Sequence, residues 1–342
     1  MPLAIGVDPG TVSIDLVGLK DGEVWLDQTL PTQEALASPD DLVGLLTSRG
    51  TPDLIAGPSG YGLPLLGADQ VTDTHLRLAL LAAEGEGGGI GGLGGLVRML
   101  VASGLPLVFT PGVIHLPTVP LARKLNRVDL GTADKVAAAA LAIRDQADRL
   151  GVSTDHTSLI LLELGGAFTA AVAVEHGAIV DGNGGTSGPM GWKSSGGWDG
   201  EVAFLAGEVR KDLLFRGGRS EPPGDEAALT AYIEGAHKTV LALTASLSGP
   251  QEILLSGRHA TDPEVRSRLE SRLAEIAPVR DLHGFAKVAK QGAQGAALIA
   301  DGLAGGSNSR LIDTLRLREA SGTVLDYLRV ITPEAARRRL GL

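Results

Sequence analysis

The chain has 342 residues, 44% of them hydrophobic and 20% charged, with a formal net charge of −10 and no cysteine. That length predicts about two domains with substantial cores, and the acidic balance excludes a broad surface for nucleic acid or anionic membrane. The missing cysteines exclude disulfides, thiol catalysis and thiolate metal sites.

The first residues, Met1-Pro2-Leu3-Ala4-Ile5, place no basic segment before the apolar run, so they do not read as a secretory signal. No apolar stretch reaches the ~18 residues of a membrane span. The expectation is a cytoplasmic protein. Strands are predicted over 3–8, 12–19 and 23–29, and the first two meet at Asp8-Pro9-Gly10-Thr11. Gly10 permits a tight turn whose amides can face an anion, and Thr11 adds a hydroxyl. Asp8, at the strand end, suits a Mg²⁺ ion held through water beside a phosphate. An ordinary hairpin turn has the same composition, so the turn alone leaves both readings open.

A helix is predicted over 40–46 and a short buried strand over 54–56, running into a loop from Gly57 to Pro64 that contains Ser59 and Tyr61. A helix over 74–84 meets a glycine run. Gly89 to Gly94 spells G-x-G-x-x-G, but it follows a helix and no acid lies about 20 residues on, so it reads as a lid-like loop rather than a dinucleotide site. A strand over 107–109 leads to Asp129-Leu130-Gly131-Thr132-Ala133-Asp134-Lys135, which opens an alanine-rich helix to about Leu150 with Thr132 as its N-cap.

The second half restarts the same grammar. A strand over 158–163 ends in Glu163-Leu164-Gly165-Gly166, and strands at 170–174 and 179–180 follow. A glycine-rich loop over 181–200 carries Thr186, Ser187, Trp192 and Lys193; Trp192 stands where a Walker A motif needs glycine. Helices are predicted over 200–214 and 225–247, a strand over 253–255 entering Ser256-Gly257-Arg258, a helix over 263–276, and an alanine- and glycine-rich helix over 286–303. Arg337, Arg338 and Arg339 read as the last turn of a helix that complements its dipole. The seven histidines show no metal spacing. Twice, then, an apolar strand ends in acid–x–Gly and turns into another strand, and two such turns can grip a polyphosphate and its metal from two sides.

This order of motifs resembles the actin/Hsp70/sugar-kinase ATPase superfamily. Residues 5–11 and 161–169 resemble its two phosphate loops, 131–143 and the stretch from Gln291 to Ala297 its two connecting helices, and 253–258 its adenosine segment. The 185–200 loop is similar to the substrate-side loop of acetate kinases, and the stretch from Gly131 to Lys135 to a segment of type III pantothenate kinases. As a whole the chain is similar to the DUF1464 predicted butyrate kinase family, related to acetate and butyrate kinases. The resemblance implies an α/β fold of two RNase H-like domains with mixed sheets and an interdomain nucleotide cleft. Its parts would be an N-terminal domain over 1–135, a connecting helix over 136–150, a C-terminal domain over 151–290, and a second connecting helix and returning segment over 291–342.

The same resemblance implies ATP and Mg²⁺ as cofactors and a small-molecule acceptor, either a short butyrate-like carboxylate or a hydroxyl. Gly10, Thr11, Gly165 and Gly166 would donate to phosphates, and Asp8 and Glu163 would hold Mg²⁺. Ser256, Gly257 and Arg258 would meet the nucleoside, and Ser59, Tyr61, Thr186 and Ser187 would shape the acceptor pocket. Asp134 would orient or deprotonate the acceptor, while Lys135, Lys193 and Arg123 would stabilise the transferred group. Two departures bear on the acceptor: Lys193 stands where acetate kinases have Arg, and Glu163 where they have His. Phosphoryl transfer is thus a firmer implication than acyl phosphate chemistry. A nucleotide-dependent switch or assembly ATPase on the same fold is the alternative; a non-enzymatic sensing module would not need both acids. No nucleic-acid or membrane partner is expected, and a homodimer stays open because related kinases often dimerise.

Overall fold

Two mixed sheets carry the chain, each built around a strand whose penultimate residue is an acid. The computed structural model describes residues 1–10, 12–57, 60–83, 93–221 and 226–342, so Thr11, Ser59 and most of the G-x-G-x-x-G stretch lie outside the described residues. In the first half, β1 (Leu3–Pro9), β2 (Ser13–Lys20) and β3 (Glu23–Pro31) form an antiparallel meander. After α1 (Thr32–Ala37) and α2 (Pro39–Leu46) come β4 (Leu54–Gly57), β5 (Leu66–Gly67), α3 (Asp73–Leu80), α4 (Leu93–Ala102) and β6 (Leu107–Phe109). The sheet order is β3-β2-β1-β4-β6-β5, with β4 and β6 parallel to β1.

A short α5 (Leu121–Lys124) and the long α6 (Ala133–Leu150) lead into the second sheet. There β7 (Ser158–Leu164), β8 (Thr169–Glu175) and β9 (Ala178–Asn183) repeat the meander. Beyond α7 (Gly200–Ala206) and α8 (Glu226–Thr244) lie β10 (Glu252–Ser256), α9 (Pro263–Leu273) and β11 (Val279–Asp281), in the order β11-β10-β7-β8-β9. The central strands β1 and β7 are buried on both faces, which is why they read as continuous apolar runs. This is the expected pair of RNase H-like sheets. Past α10 (Gln291–Leu303) and α11 (Ser309–Leu315) the chain returns over the first half, where the Asn126 amide donates to the Tyr327 carbonyl, and ends in α12 (Pro333–Arg339).

Small residues set how the layers stack. A Cβ at Gly6 of β1 would strike the backbone of Ala293 and Ala297 in α10, and one at Gly295 of α10 would strike the carbonyl of Ala137 in α6. Strand, helix and helix therefore touch backbone to backbone. On α6, Ala137 to Ala140 are all buried, so low side-chain bulk rather than a strong amphipathic stripe fits that helix into the centre. Among the described residues no helix is long and apolar enough to cross a membrane.

Local differences from the sequence reading have local causes. The helix expected to reach residue 84 stops at Leu80 because Leu81 takes a left-handed φ of 48°. The one expected over 200–214 ends at Ala206, before Gly207 at φ 70°, and resumes only as a 3₁₀ turn, Lys211–Phe215. The helix expected from 286 begins at Gln291, because the amides of Lys287, Val288 and Ala289 bond the Asp27 carboxylate instead. Gly94 and Gly95, read as loop, lie in the first turn of α4.

The helix crossing gives a direct test. Gly295→Val forces the two helices apart, and overpacking of this kind costs about 3 kcal/mol, seen as a lower denaturation midpoint. Gly44, exposed in α2 with nothing near its missing Cβ, is the control: Gly44→Ala gains about 0.5–1 kcal/mol from helix propensity. Equal effects at the two positions would refute the close-contact account.

Candidate functional site

The β1–β2 and β7–β8 hairpins turn in the same way. The Gly10 amide donates to the Ser13 carbonyl at 2.8 Å, and the Gly165 amide donates to the Phe168 carbonyl at 2.9 Å. Both glycine amides therefore close the hairpins, which corrects the expectation that they face a phosphate. In the second turn the free donors sit one residue later: the amides of Gly166 and Ala167 have no partner among the described residues. Gly166 is exposed and a Cβ there would meet nothing, so the tip is open to an incoming anion.

The acids that precede the turns converge on the start of α6. Lys135 Nζ donates to Asp134 Oδ2 at 2.6 Å and to Glu163 Oε1 at 2.7 Å, tying the helix to the end of β7. The three side chains are only 15%, 30% and 19% exposed, in the order Lys135, Asp134, Glu163. Thr132 occupies the N-cap position of α6, but its hydroxyl bonds Asp134 Oδ1 rather than the helix backbone. Burial works against charge on Asp134, yet the Lys135 ammonium and the hydrogen bonds from Lys135 and Thr132 hold its carboxyl below the usual range. Burial likewise opposes charge on Lys135, and the two carboxylates overcome it and raise its pKa.

Asp8 comes to the same place from the first sheet. Gly292, near the start of α10, lies between the two acids: a Cβ there would be 2.6 Å from Asp8 Oδ2 and 3.6 Å from Asp134 Cβ. Burial, then the charge of Asp134, push Asp8 up to about 7. Behind it, the fully buried Asp15 of β2 is paired with Lys290 at 2.8 Å and accepts from Thr29 at 2.6 Å. Among the described residues no set of three acids or histidines forms a cage for a metal. A Mg²⁺ ion that keeps most of its waters needs only one or two carboxylates beside phosphate oxygens. Asp8, half-buried and without a salt-bridge partner among the described residues, fits that requirement.

The loop after β9 is anchored beside this cluster by Asp129, a residue to which the sequence reading gave no role. Its Oδ2 accepts from the Thr186 amide at 3.0 Å and the Thr186 hydroxyl at 2.9 Å, and its carbonyl accepts from Ser187 Oγ at 2.5 Å. Burial and the charge of Asp129 raise the Tyr61 phenol pKa. The preceding carbonyl, that of Gly60, accepts the Ala133 amide at 3.0 Å. Asp129 thus anchors Thr186 and Ser187, while the Gly60–Ala133 bond holds the chain before Tyr61 to the start of α6. The available sequence signal was two acids five residues apart around Gly131.

At the other side of the second turn, Gly257 has φ 90°, and a Cβ there would lie 2.5 Å from the Leu164 carbonyl and 3.0 Å from Glu163 Cγ. Ser256 pairs in register with Glu163, and its buried Oγ has no hydrogen-bond partner among the described residues. Arg258 is exposed. Trp192 stacks on His259 at 3.7 Å, with Arg219 over it at 5.6 Å. Lys193 is not drawn into the acid cluster: its amide donates to the Ala167 carbonyl at 3.0 Å, and its side chain is exposed. Arg123 is also elsewhere, bonded to the Val180 carbonyl at 2.7 Å and paired with Asp181 at 3.5 Å. His115 is a core residue, buried and pushed down to about 4 by that burial.

No curated protein matches the sequence. Solved structures do share the architecture. A propionate kinase from Francisella tularensis subsp. tularensis SCHU S4 is 14% identical with a TM-score of 0.61, over 86% of this chain and 99% of that one. An acetate kinase from Porphyromonas gingivalis is 15% identical with a TM-score of 0.58, over 81% and 88%. An acetate kinase from Entamoeba histolytica gives 11% and 0.54, over 80% and 86%. At these identities the likeness shows the fold alone, an α/β fold with two mixed sheets shared with these kinases. A family model described as "Protein of unknown function (DUF1464)" matches residues 6–330, and the chain belongs to that family.

Proposed function

We propose that the protein is an ATP- and Mg²⁺-dependent small-molecule kinase. The observation that carries this reading is the meeting of Asp8, Asp134, Lys135 and Glu163 between two equivalent hairpins, one from each sheet. Phosphoryl transfer asks a protein for positioning and charge stabilisation more than for covalent chemistry. Mg²⁺, when bound, neutralises charge on the phosphates, and Asp8 with Glu163 would hold it through water. The amides of Gly166 and Ala167 would donate to the phosphates, and Ser256 and Gly257 would admit the nucleoside. Lys135, fixed between two acids, would face the transferred group, and Asp134 would position the acceptor beside Tyr61 and Thr186. The propionate and acetate kinases of the same fold support a phosphotransferase over a switch.

Calorimetry on the native protein should show ATP binding that strengthens with Mg²⁺. Asp8→Asn should weaken only the Mg²⁺-dependent part, by about tenfold, and lower turnover by at least ~10². Native affinity and turnover in Asp8→Asn would remove Asp8 from the site. ATP binding and cleft closure without any acceptor-stimulated turnover would favour the switch.

Asp8 also makes a pH prediction. An acid whose folded pKa is about 7 against an ordinary 3.8 takes up protons on folding. Its favourable contribution is complete below 3.8 and is lost as the pH rises through 7. In ligand-free protein, the melting temperature of Asp8→Asn relative to native should therefore climb between pH 4 and 7 and level off above. A constant difference across that window would contradict the assigned shift.

A further inference from the structure

Beside the β7–β8 turn stands a guanidinium with nothing to bond. Gly218, Arg219 and Ser220 run along the 191–193 stretch, where their amides donate to the carbonyls of Lys193 at 3.0 Å, Gly191 at 3.0 Å and Trp192 at 2.9 Å. This clamp holds the Arg219 backbone near the turn, because a Cβ at Gly191 would strike the Ala167 carbonyl. The Arg219 guanidinium lies over the Trp192 ring. That ring stacks on His259 with only 9° between the planes and meets Tyr232 edge-on at 6.0 Å. His259 in turn donates its amide to the Leu164 carbonyl at 3.0 Å. One pile of side chains therefore joins the turn that holds Gly166 to the turn that holds Gly257. Burial, then the charge of Arg258, push His259 below its usual range, so Arg219 carries the charge of the pile. Lys193 and Arg258, the chain neighbours of Trp192 and His259, are exposed.

Arg219 is under-used where it stands. Its Nε is buried without a hydrogen-bond partner, and it forms no ion pair among the described residues. Glu226, whose carboxylate feels its charge, is bonded to Arg268 instead. A buried donor on a permanent cation is costly to leave unpaired. The contact with the indole face offsets part of that cost, but it is weaker and less directional than a charge-assisted bond to a phosphate. The Nε–H and a neighbouring Nη–H form one edge of the fork, which matches two oxygens of a phosphate. We propose that Arg219 is a seat for the phosphate chain of the nucleotide: it rests on Trp192 until ATP binds and then turns onto a phosphate. The inference rests on the kinase reading above. A phosphate is favoured over an acceptor carboxylate because the pile spans the Gly166 and Gly257 turns, the two that this reading gives to the nucleotide. No covalent bond changes at Arg219; it orients the chain and offsets its charge, and Trp192 loses its guanidinium neighbour in the complex.

Trp192 reports the movement. The full chain is titrated with ATP in Mg²⁺, and separately with adenosine or propionate, with affinity read by calorimetry and tryptophan emission by fluorescence. Native protein is compared with Arg219→Gln, Arg219→Lys and Trp192→Phe. The inference expects ATP affinity about 10- to 100-fold lower in Arg219→Gln, partly recovered in Arg219→Lys, with adenosine affinity within about twofold of native in both. ATP should change the native emission, and that change should vanish in Arg219→Gln and in Trp192→Phe. Native ATP affinity in Arg219→Gln would overturn the assignment. An equal loss for ATP and adenosine would also overturn it, since it marks a structural role. An ATP-induced change that survives in Trp192→Phe would refute the movement off that ring. An emission change produced by propionate alone would give the seat to a carboxylate and overturn the phosphate assignment, leaving the kinase reading standing. Absence of ATP binding by the native protein would instead sink the kinase reading, and the Arg219 seat with it.

Discussion

The contact on which the site depends is the one between Gly295 and the carbonyl of Ala137. Because nothing but backbone separates α10 from α6 there, the start of α6 is held against the end of β1 on one side and β7 on the other. That places Lys135 within reach of Glu163 and brings Gly292 between Asp8 and Asp134. A larger side chain at the crossing would change the spacing of groups far from it, since packed interiors transmit displacement. Low side-chain volume on both connecting helices is thus a condition for the site as well as for the core.

Electrostatically the site holds more acid than it neutralises. Lys135 bridges two carboxylates, and Asp8 is left half-buried near Asp134 with its ionised form disfavoured. Breaking a fully buried ion pair costs about 3–5 kcal/mol, but the groups here are partly solvated, so stability alone is a weak reason for the arrangement. Under the proposed kinase reading, a hydrated divalent ion and the polyphosphate that accompanies it would complete this acid-rich site.

Much of the architecture was legible because central strands and acid–x–Gly turns leave strong local marks. β1, β2, β7 and β10 fall where apolar runs predict them, and Asp8 and Glu163 stand where strands end. What the sequence hid depended on partners far along the chain. Asp27 takes amides from the stretch where α10 was expected to begin, five residues earlier, from a strand some 260 positions away. Asp129 acquires its role only when Thr186 folds onto it. Of the amides expected to face a phosphate, those of Gly10 and Gly165 are consumed by hairpin closure while that of Gly166 is left without a partner among the described residues, a matter of turn geometry rather than composition. Lys193 matched a motif by position, but its backbone bond to Ala167 fixes it at the turn and leaves its charge in solvent.

The central claim, that the two hairpins and the acids beneath them form one phosphate and metal site, is tested most directly by a crystal structure of the native protein with Mg²⁺ and a non-hydrolysable ATP analogue. The account requires the terminal phosphate within hydrogen-bond distance of the Gly166 or Ala167 amide, a metal-bound water on Asp8, and the nucleoside against Gly257. A triphosphate bound away from these amides, or a metal coordinated without Asp8 or Glu163 in its hydration shell, would contradict it.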